Sequence, residues 1–150
     1  MKYFNLLLLA IVSISIVACT TYSDEEMSDF DKKIAKYLDK EGTECKKSDS
    51  GLYYKIIEEG EGDLIQYKDV VTFTYTGKLL NGEIFDHQKE PVEFSVDKLI
   101  GAWKEIMLLT KKGSKVFLAA PPQLGYGDNK LDDIPANSVL IYEMEILGVE

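Results

Sequence analysis

The chain has no arginine at all, a single histidine (His87) and only two cysteines. Each scarcity excludes something. Seventeen lysines against 26 acidic residues leave a formal net charge of -9. A phosphate backbone is held by a basic face, so no nucleic-acid partner is expected. One histidine and two cysteines cannot furnish a four-ligand Cys/His zinc set, nor is there a Ser-His-Asp constellation to pursue. No GxGxxG or phosphate-loop motif is present, so neither a metal nor a nucleotide cofactor is expected. What is plentiful is aromatic: nine tyrosines and six phenylalanines in 150 residues, enough for one well-filled domain with additions at its ends.

Long apolar runs are also scarce, and the one that exists opens the chain: "MKYFNLLLLAIVSISIVAC". It falls short of the roughly 20 apolar residues that span a bilayer and has the make-up of a signal peptide. An ordinary cleavage site wants small residues at two positions, and Ile16 suits that poorly. Ile16-Val17-Ala18-Cys19 instead resembles the bacterial lipobox, whose cysteine is acylated and becomes the mature N-terminus. Residues 1–18 are therefore expected to be a lipoprotein signal peptide and Cys19 the lipidation site. At about 0.8 kcal/mol per buried methylene, several acyl carbons anchor a protein without spanning the membrane. Cys45 then has no partner and reads as an incidental thiol in the linker "EGTECKKSDSG".

Beyond Cys19, "TTYSDEEMSDFD" is polar and acidic, the composition of a solvated tether. Met27, Phe30, Ile34, Tyr37 and Leu38 recur at helical spacing and Gly42 follows as a stop, predicting an amphipathic helix. Its stripe is expected to pack on the main domain or on a second copy, which makes residues 27–41 a possible homodimer contact. The tether and helix occupy 19–49, and a strand-rich domain fills 50–150. There "LYYKIIEE" and "DVVTFTYTGKLL" read as strands, "VEFSV" as a short third, "KVFLAAP" and "SVLIYEMEILGV" as two more. Asn81-Gly82 predicts a tight hairpin in which both residues adopt positive φ. Asp97 is expected to cap a helix running from Lys98 to about Leu109, with Ile100, Trp103 and Met107 on one face. Strands with one short helix define an antiparallel α+β domain whose sheet is covered on one face.

Four stretches carry a family resemblance: "SGLYYKIIEEGEG", "VTFTYTGKLLNGEIFDH", "LIGAWKEIMLLTKKGSKVFLAAPPQLGYG" and "IPANSVLIYEMEIL". In this order and spacing they resemble the FKBP-type peptidyl-prolyl isomerases, from about Ser50 to Val149. The resemblance implies a bent antiparallel sheet wrapped around one short α-helix, with an aromatic-walled pocket between them. It implies catalytic roles for Tyr75, Phe85, Asp86, Trp103 and Tyr126, and substrate-binding roles for Leu99, Ile100, Ile134 and Tyr142. Partners would be X-Pro segments of exported proteins, met at the cell envelope where the Cys19 lipid enters the membrane. No cofactor is needed, because rotation about an amide makes and breaks no bond to a heavy atom.

Three features depart from the family pattern. Val92 stands where an aromatic is frequent, Tyr142 adds a hydroxyl where Phe is usual, and no arginine accompanies Asp86, with Lys89 the nearest substitute in sequence. These departures keep a second reading open, a catalytically weak binding module of an envelope assembly.

Overall fold

The computed structural model describes residues 22–150, so the signal peptide and the lipidation site at Cys19 lie outside the described residues. The first described element is helix α1 (Asp24–Glu41). Ser23 caps it reciprocally with Glu26: the Ser23 N–H donates to Glu26 Oε2 at 2.9 Å, and the Glu26 N–H donates to Ser23 Oγ at 3.3 Å. Asp24, Glu25 and Glu26 occupy the first turn, where the helix dipole favours negative charge. The acidic run expected to be a solvated tether is thus, from Ser23 onward, a helix start. Gly42 ends the helix in the left-handed region, at φ 63°.

The linker that follows is not structureless either. Lys46–Lys47 form β1, paired antiparallel with β2 (Tyr53–Glu58). The remaining elements are β3 (Val70–Leu79), β4 (Ile84–Ser95), α2 (Gly101–Leu108), β5 (Lys115–Ala120) and β6 (Leu140–Val149). The six strands pair antiparallel in one sheet of order β1-β2-β5-β6-β3-β4. "VEFSV" is not a separate strand: Val92–Ser95 end β4, and Val96 opens the turn that follows. Pro91 is accommodated there because β4 is an edge and needs no outward N–H.

Side chains alternate across the sheet and build two cores. Val71 and Phe73 on β3, Leu118 on β5 and Leu140, Tyr142, Met144 and Ile146 on β6 face α2, meeting its Ala102, Trp103, Ile106 and Met107. The opposite face presents Ala119 and Ile141, with Val139 just ahead of β6, and these meet Phe30, Ile34 and Leu38 of α1. The sheet is therefore covered on both faces, not one. The apolar stripe of α1 is buried within its own chain, its centre, Ile34, completely. Cys45 lies partly buried at the edge of this second cluster, and burial pushes its thiol pKa up, away from the reactive thiolate.

The β3–β4 hairpin is longer than the two-residue turn expected. The Gly82 N–H donates to Leu79 O at 2.9 Å and the Leu79 N–H to Glu83 O at 2.8 Å. Only Gly82 has positive φ, at 90°, as in a turn followed by a glycine bulge. Asn81 contributes its side chain instead, accepting the Glu83 N–H at 3.0 Å.

Candidate functional site at the aromatic cluster

Just past this turn the register slips. Gly77 pairs with Asp86 but Lys78 pairs with Ile84, leaving Phe85 as the extra residue of a bulge. A bulge re-aims side chains, which resolves the difficulty of an apolar ring next to a carboxylate on one strand. Phe85 turns back over β3 toward Tyr142, at a centroid separation of 5.7 Å. Gly77 makes this approach possible. A Cβ there would lie 2.6 Å from Phe85 Cζ and 2.9 Å from Tyr142 Cε1. Asp86 stays exposed and accepts the Tyr75 hydroxyl at 2.5 Å.

Helix α2 supplies the floor. A short 3-10 turn, Val96–Lys98, precedes it, so the helix begins at Gly101 with Ile100 as its cap residue and no capping side chain. Asp97 therefore does not cap α2. Its carboxylate accepts the Ser95 hydroxyl at 2.7 Å and pairs with Lys68 at 2.8 Å, which holds its pKa down to about 2, with Lys68 the larger cause. Among the described residues no backbone acceptor takes the Ile100 N–H. That leaves a donor at the positive end of the helix.

Trp103, one turn on, is surrounded edge-on by Tyr75 at 4.7 Å, Tyr142 at 5.0 Å and Phe73 at 5.4 Å. Its indole N–H is buried without a hydrogen-bond partner among the described residues. Leu99 is buried beside it in the same core. The rings touch one another, so a ligand would meet the half-exposed lip formed by Tyr75, Phe85, Ile100 and Tyr126.

The last wall comes from residues 121–139, between β5 and β6. A 3-10 turn, Pro122–Leu124, abuts the start of α2, where a Cβ on Gly101 would sit 3.3 Å from Leu124 O. Tyr126 follows, packed on the main core, with its carbonyl accepting from both the backbone and the side chain of Asn129. Ile134 is buried in the same core, and its carbonyl accepts the Leu131 N–H at 2.9 Å.

Three phenols converge here and all are held above the usual tyrosine pKa, in each case first by burial. For Tyr75 the hydrogen bond to Asp86 adds to this, and for Tyr142 the charge of Tyr126. The Tyr142 hydroxyl faces that of Tyr126. All three remain protonated donors at neutral pH.

The structure thus gathers all nine expected site residues around one end of α2: Tyr75, Phe85, Asp86, Leu99, Ile100, Trp103, Tyr126, Ile134 and Tyr142. Val92 packs against the core beside them. Lys89 does not stand in for the missing arginine. It lines a groove of about 340 Å³ that borders the cluster at Tyr75 and includes His87 and Lys115, while Asp86 takes its hydrogen bond from Tyr75. Phe73, fully buried against Trp103, was not singled out from sequence. Strand alternation gives the missing signal, because Phe73 lies two residues from Tyr75 on the same face.

This combination of sheet, helix and aromatic cage defines a class. A family profile described as FKBP-type peptidyl-prolyl cis-trans isomerase matches residues 62–147, and the chain belongs to that family. Among curated relatives it is 43% identical over 129 residues to a probable FKBP-type peptidyl-prolyl cis-trans isomerase of Haemophilus influenzae, covering 83% of this chain and 52% of that one. It is 35% identical over 132 residues to the FKBP-type peptidyl-prolyl cis-trans isomerase FkpA of Escherichia coli, covering 85% and 49% respectively. The chain therefore spans about half the length of these relatives. The crystal structure of FkpA from Escherichia coli superposes with a TM-score of 0.73 at 35% identity, covering 84% of this chain and 62% of that one. The crystal structure of AtFKBP13 superposes with a TM-score of 0.67 at 30% identity, covering 71% and 99%.

Proposed function

We propose that this chain accelerates cis–trans rotation about X-Pro bonds in exported proteins, held at the bacterial cell envelope by a lipid on Cys19. One observation carries the catalytic reading: the rings of Tyr75, Phe85 and Tyr126 and the uncapped start of α2 form one lip above the buried rings of Trp103 and Tyr142. Rotation about the amide costs about 18–20 kcal/mol because twisting breaks resonance. The twisted amide is less polar than the planar one, so an aromatic surface that excludes water favours it. The Ile100 N–H and the Tyr126 hydroxyl are the donors available to orient a substrate carbonyl. A single neutral hydrogen bond contributes about 0.5–1.5 kcal/mol, roughly a decade of rate. Burying about 100 Å² of a proline ring adds roughly 2.5 kcal/mol of binding. Substrates are accordingly held weakly and released fast, which suits assistance to folding chains.

The second reading, a binding module of an envelope assembly, is favoured by the Tyr142 hydroxyl inside the apolar wall and by the lack, among the described residues, of a cation paired with Asp86. Isomerisation of X-Pro peptides separates the two. We expect wild-type acceleration and a loss of about tenfold in kcat/KM for Tyr126→Phe with the unfolding curve unchanged, the effect of one hydrogen bond. A well-folded wild type that accelerates no X-Pro peptide leaves the binding module. For the anchor, Cys19→Ser should release the protein from the membrane fraction, and retention with an uncleaved N-terminus would show that the apolar run itself anchors. Pairing of two copies through residues 27–41 would use the outer edge of α1, since Phe30, Ile34 and Leu38 are buried within the chain.

A further inference from the structure

Residues 121–139 carry Tyr126 and Ile134, and contacts from residues 22–51, ahead of the family-matched segment, reach both ends of this stretch. At the far end the Tyr22 hydroxyl donates to Asn137 Oδ1 at 2.7 Å. The Asn137 N–H donates to Gly127 O at 2.8 Å, closing the loop immediately after Tyr126. Asn137 does so at φ 60°, and it is the only non-glycine residue with positive φ among the described residues. Asparagine is one of the few non-glycine residues that adopt this backbone, and here both its N–H and its side chain are engaged. Two residues on, Val139 is buried in the cluster that contains Phe30 and Ile34 of α1. Tyr22 is itself seated, its ring edge-on to Phe30 at 5.1 Å. At the near end the Gln123 side chain donates to Ser50 O at 3.4 Å, and Pro121 packs close to Gly51.

We propose that Tyr22 is a positioning residue for the site, acting through Asn137 and Gly127 to fix where the Tyr126 side chain stands. Its role depends on the start of α1 being docked, since the helix seats Phe30 and Phe30 seats Tyr22. The proposal deepens the isomerase reading and rests on it for its kinetic consequence, while its structural part stands separately.

The test uses the full chain as wild type, Tyr22→Phe, Asn137→Gly and the double variant. Tyr22→Phe keeps the ring on Phe30 and removes only the donor. Asn137→Gly removes the acceptor and tolerates the positive φ. Loss of one hydrogen bond should speed amide exchange at Asn137 by about 3- to 10-fold without shifting the global unfolding midpoint. The Tyr126 ring resonances should move, and kcat/KM should fall by about threefold. In the Asn137→Gly background, adding Tyr22→Phe should change none of these. Unchanged exchange in Tyr22→Phe, equal effects in both backgrounds, or an unmoved Tyr126 ring overturns the proposal. So does faster exchange with unaltered turnover in an active enzyme. A wild type without isomerase activity rejects the catalytic reading alone, and the exchange and Tyr126 ring measurements then decide whether the latch exists.

Discussion

Gly77→Ala offers the sharpest test of how the aromatic lip is built. The added methyl would stand 2.6 and 2.7 Å from Phe85 Cζ and Cε2 and 2.9 Å from Tyr142 Cε1. Carbon atoms rest at about 3.5–4.0 Å, so Phe85 must retreat by roughly 1 Å and the methyl and Tyr142 must part by roughly half that. Tyr142 has little room, being 1% exposed and boxed in by Trp103 and Tyr75. Phe85 is half-exposed on the edge strand and takes the larger shift, while the contact with Tyr142 is relieved by a small movement of β3. Overpacking usually costs 1–3 kcal/mol, and because Phe85 can swing toward solvent we expect about 1–2 kcal/mol. The kinetic loss should be larger in proportion. A displacement of about 1 Å in a positioning group can cost up to a hundredfold, and for one wall of several we expect about tenfold in kcat/KM. Urea unfolding followed by the single tryptophan, Trp103, reports the first quantity, and X-Pro isomerisation the second. Combining Gly77→Ala with Phe85→Ala should show strong non-additivity in stability, since the truncated side chain no longer meets the methyl, without restoring turnover. A Gly77→Ala protein with wild-type stability and activity within twofold would refute the claim that this glycine sets the position of Phe85.

A chain beginning at Ser48 should still unfold cooperatively, because the Trp103 core is complete without α1. Its urea midpoint should fall as Ala119, Val139 and Ile141 become exposed, and loss of a cooperative transition would make the second cluster part of one indivisible core. Stability should decline as pH rises beyond about 10. The folded-state pKa values of Tyr75 and Tyr142 are raised, so their contribution is intact below the unfolded tyrosine pKa and is lost as the unfolded chain ionises above it. Flat stability from pH 9 to 11 by denaturant titration would contradict that burial. Asp97, held at about pKa 2 chiefly by Lys68, should titrate nearer the ordinary carboxylate value in Lys68→Met. Its stabilising effect is present above pH 4 and disappears as pH falls toward 2, and an unchanged Asp97 titration by NMR would exclude the Lys68 pair in solution.

What the sequence disclosed and what it hid divide along physical lines. Strands with β-branched alternation, such as Val70–Leu79, declare themselves because burial on one face writes a period of two into the residues. The nine expected site residues were chosen from four spaced motifs, and the fold draws all but the exposed Asp86 into one core cluster with α2. The start of α1 was misread because three consecutive acids suit a solvated tether and a helix N-terminus equally well, and only the Ser23–Glu26 pairing decides. β1 was invisible: a strand made of two lysines has no apolar pattern and exists only because β2 offers it an edge. The Asp97 cap failed because a 3-10 turn already uses the Val96 carbonyl, accepting the Leu99 N–H at 3.2 Å, which shifts the helix start to Gly101.

That shift has a functional consequence. A side-chain cap from Asp97 would accept the N–H of Leu99 or Ile100, two or three residues on, and compete there with a substrate carbonyl. Ser95 and Lys68 instead hold the Asp97 carboxylate within the preceding turn, so among the described residues the Ile100 N–H remains unclaimed by any backbone acceptor. The same economy appears at Asp86. With no arginine available anywhere in the chain, its charge is satisfied by Tyr75, which ties the rim carboxylate to a ring already packed on Trp103. The polar rim is thus fastened to the aromatic floor, and a perturbation of either is transmitted to the other through one phenol.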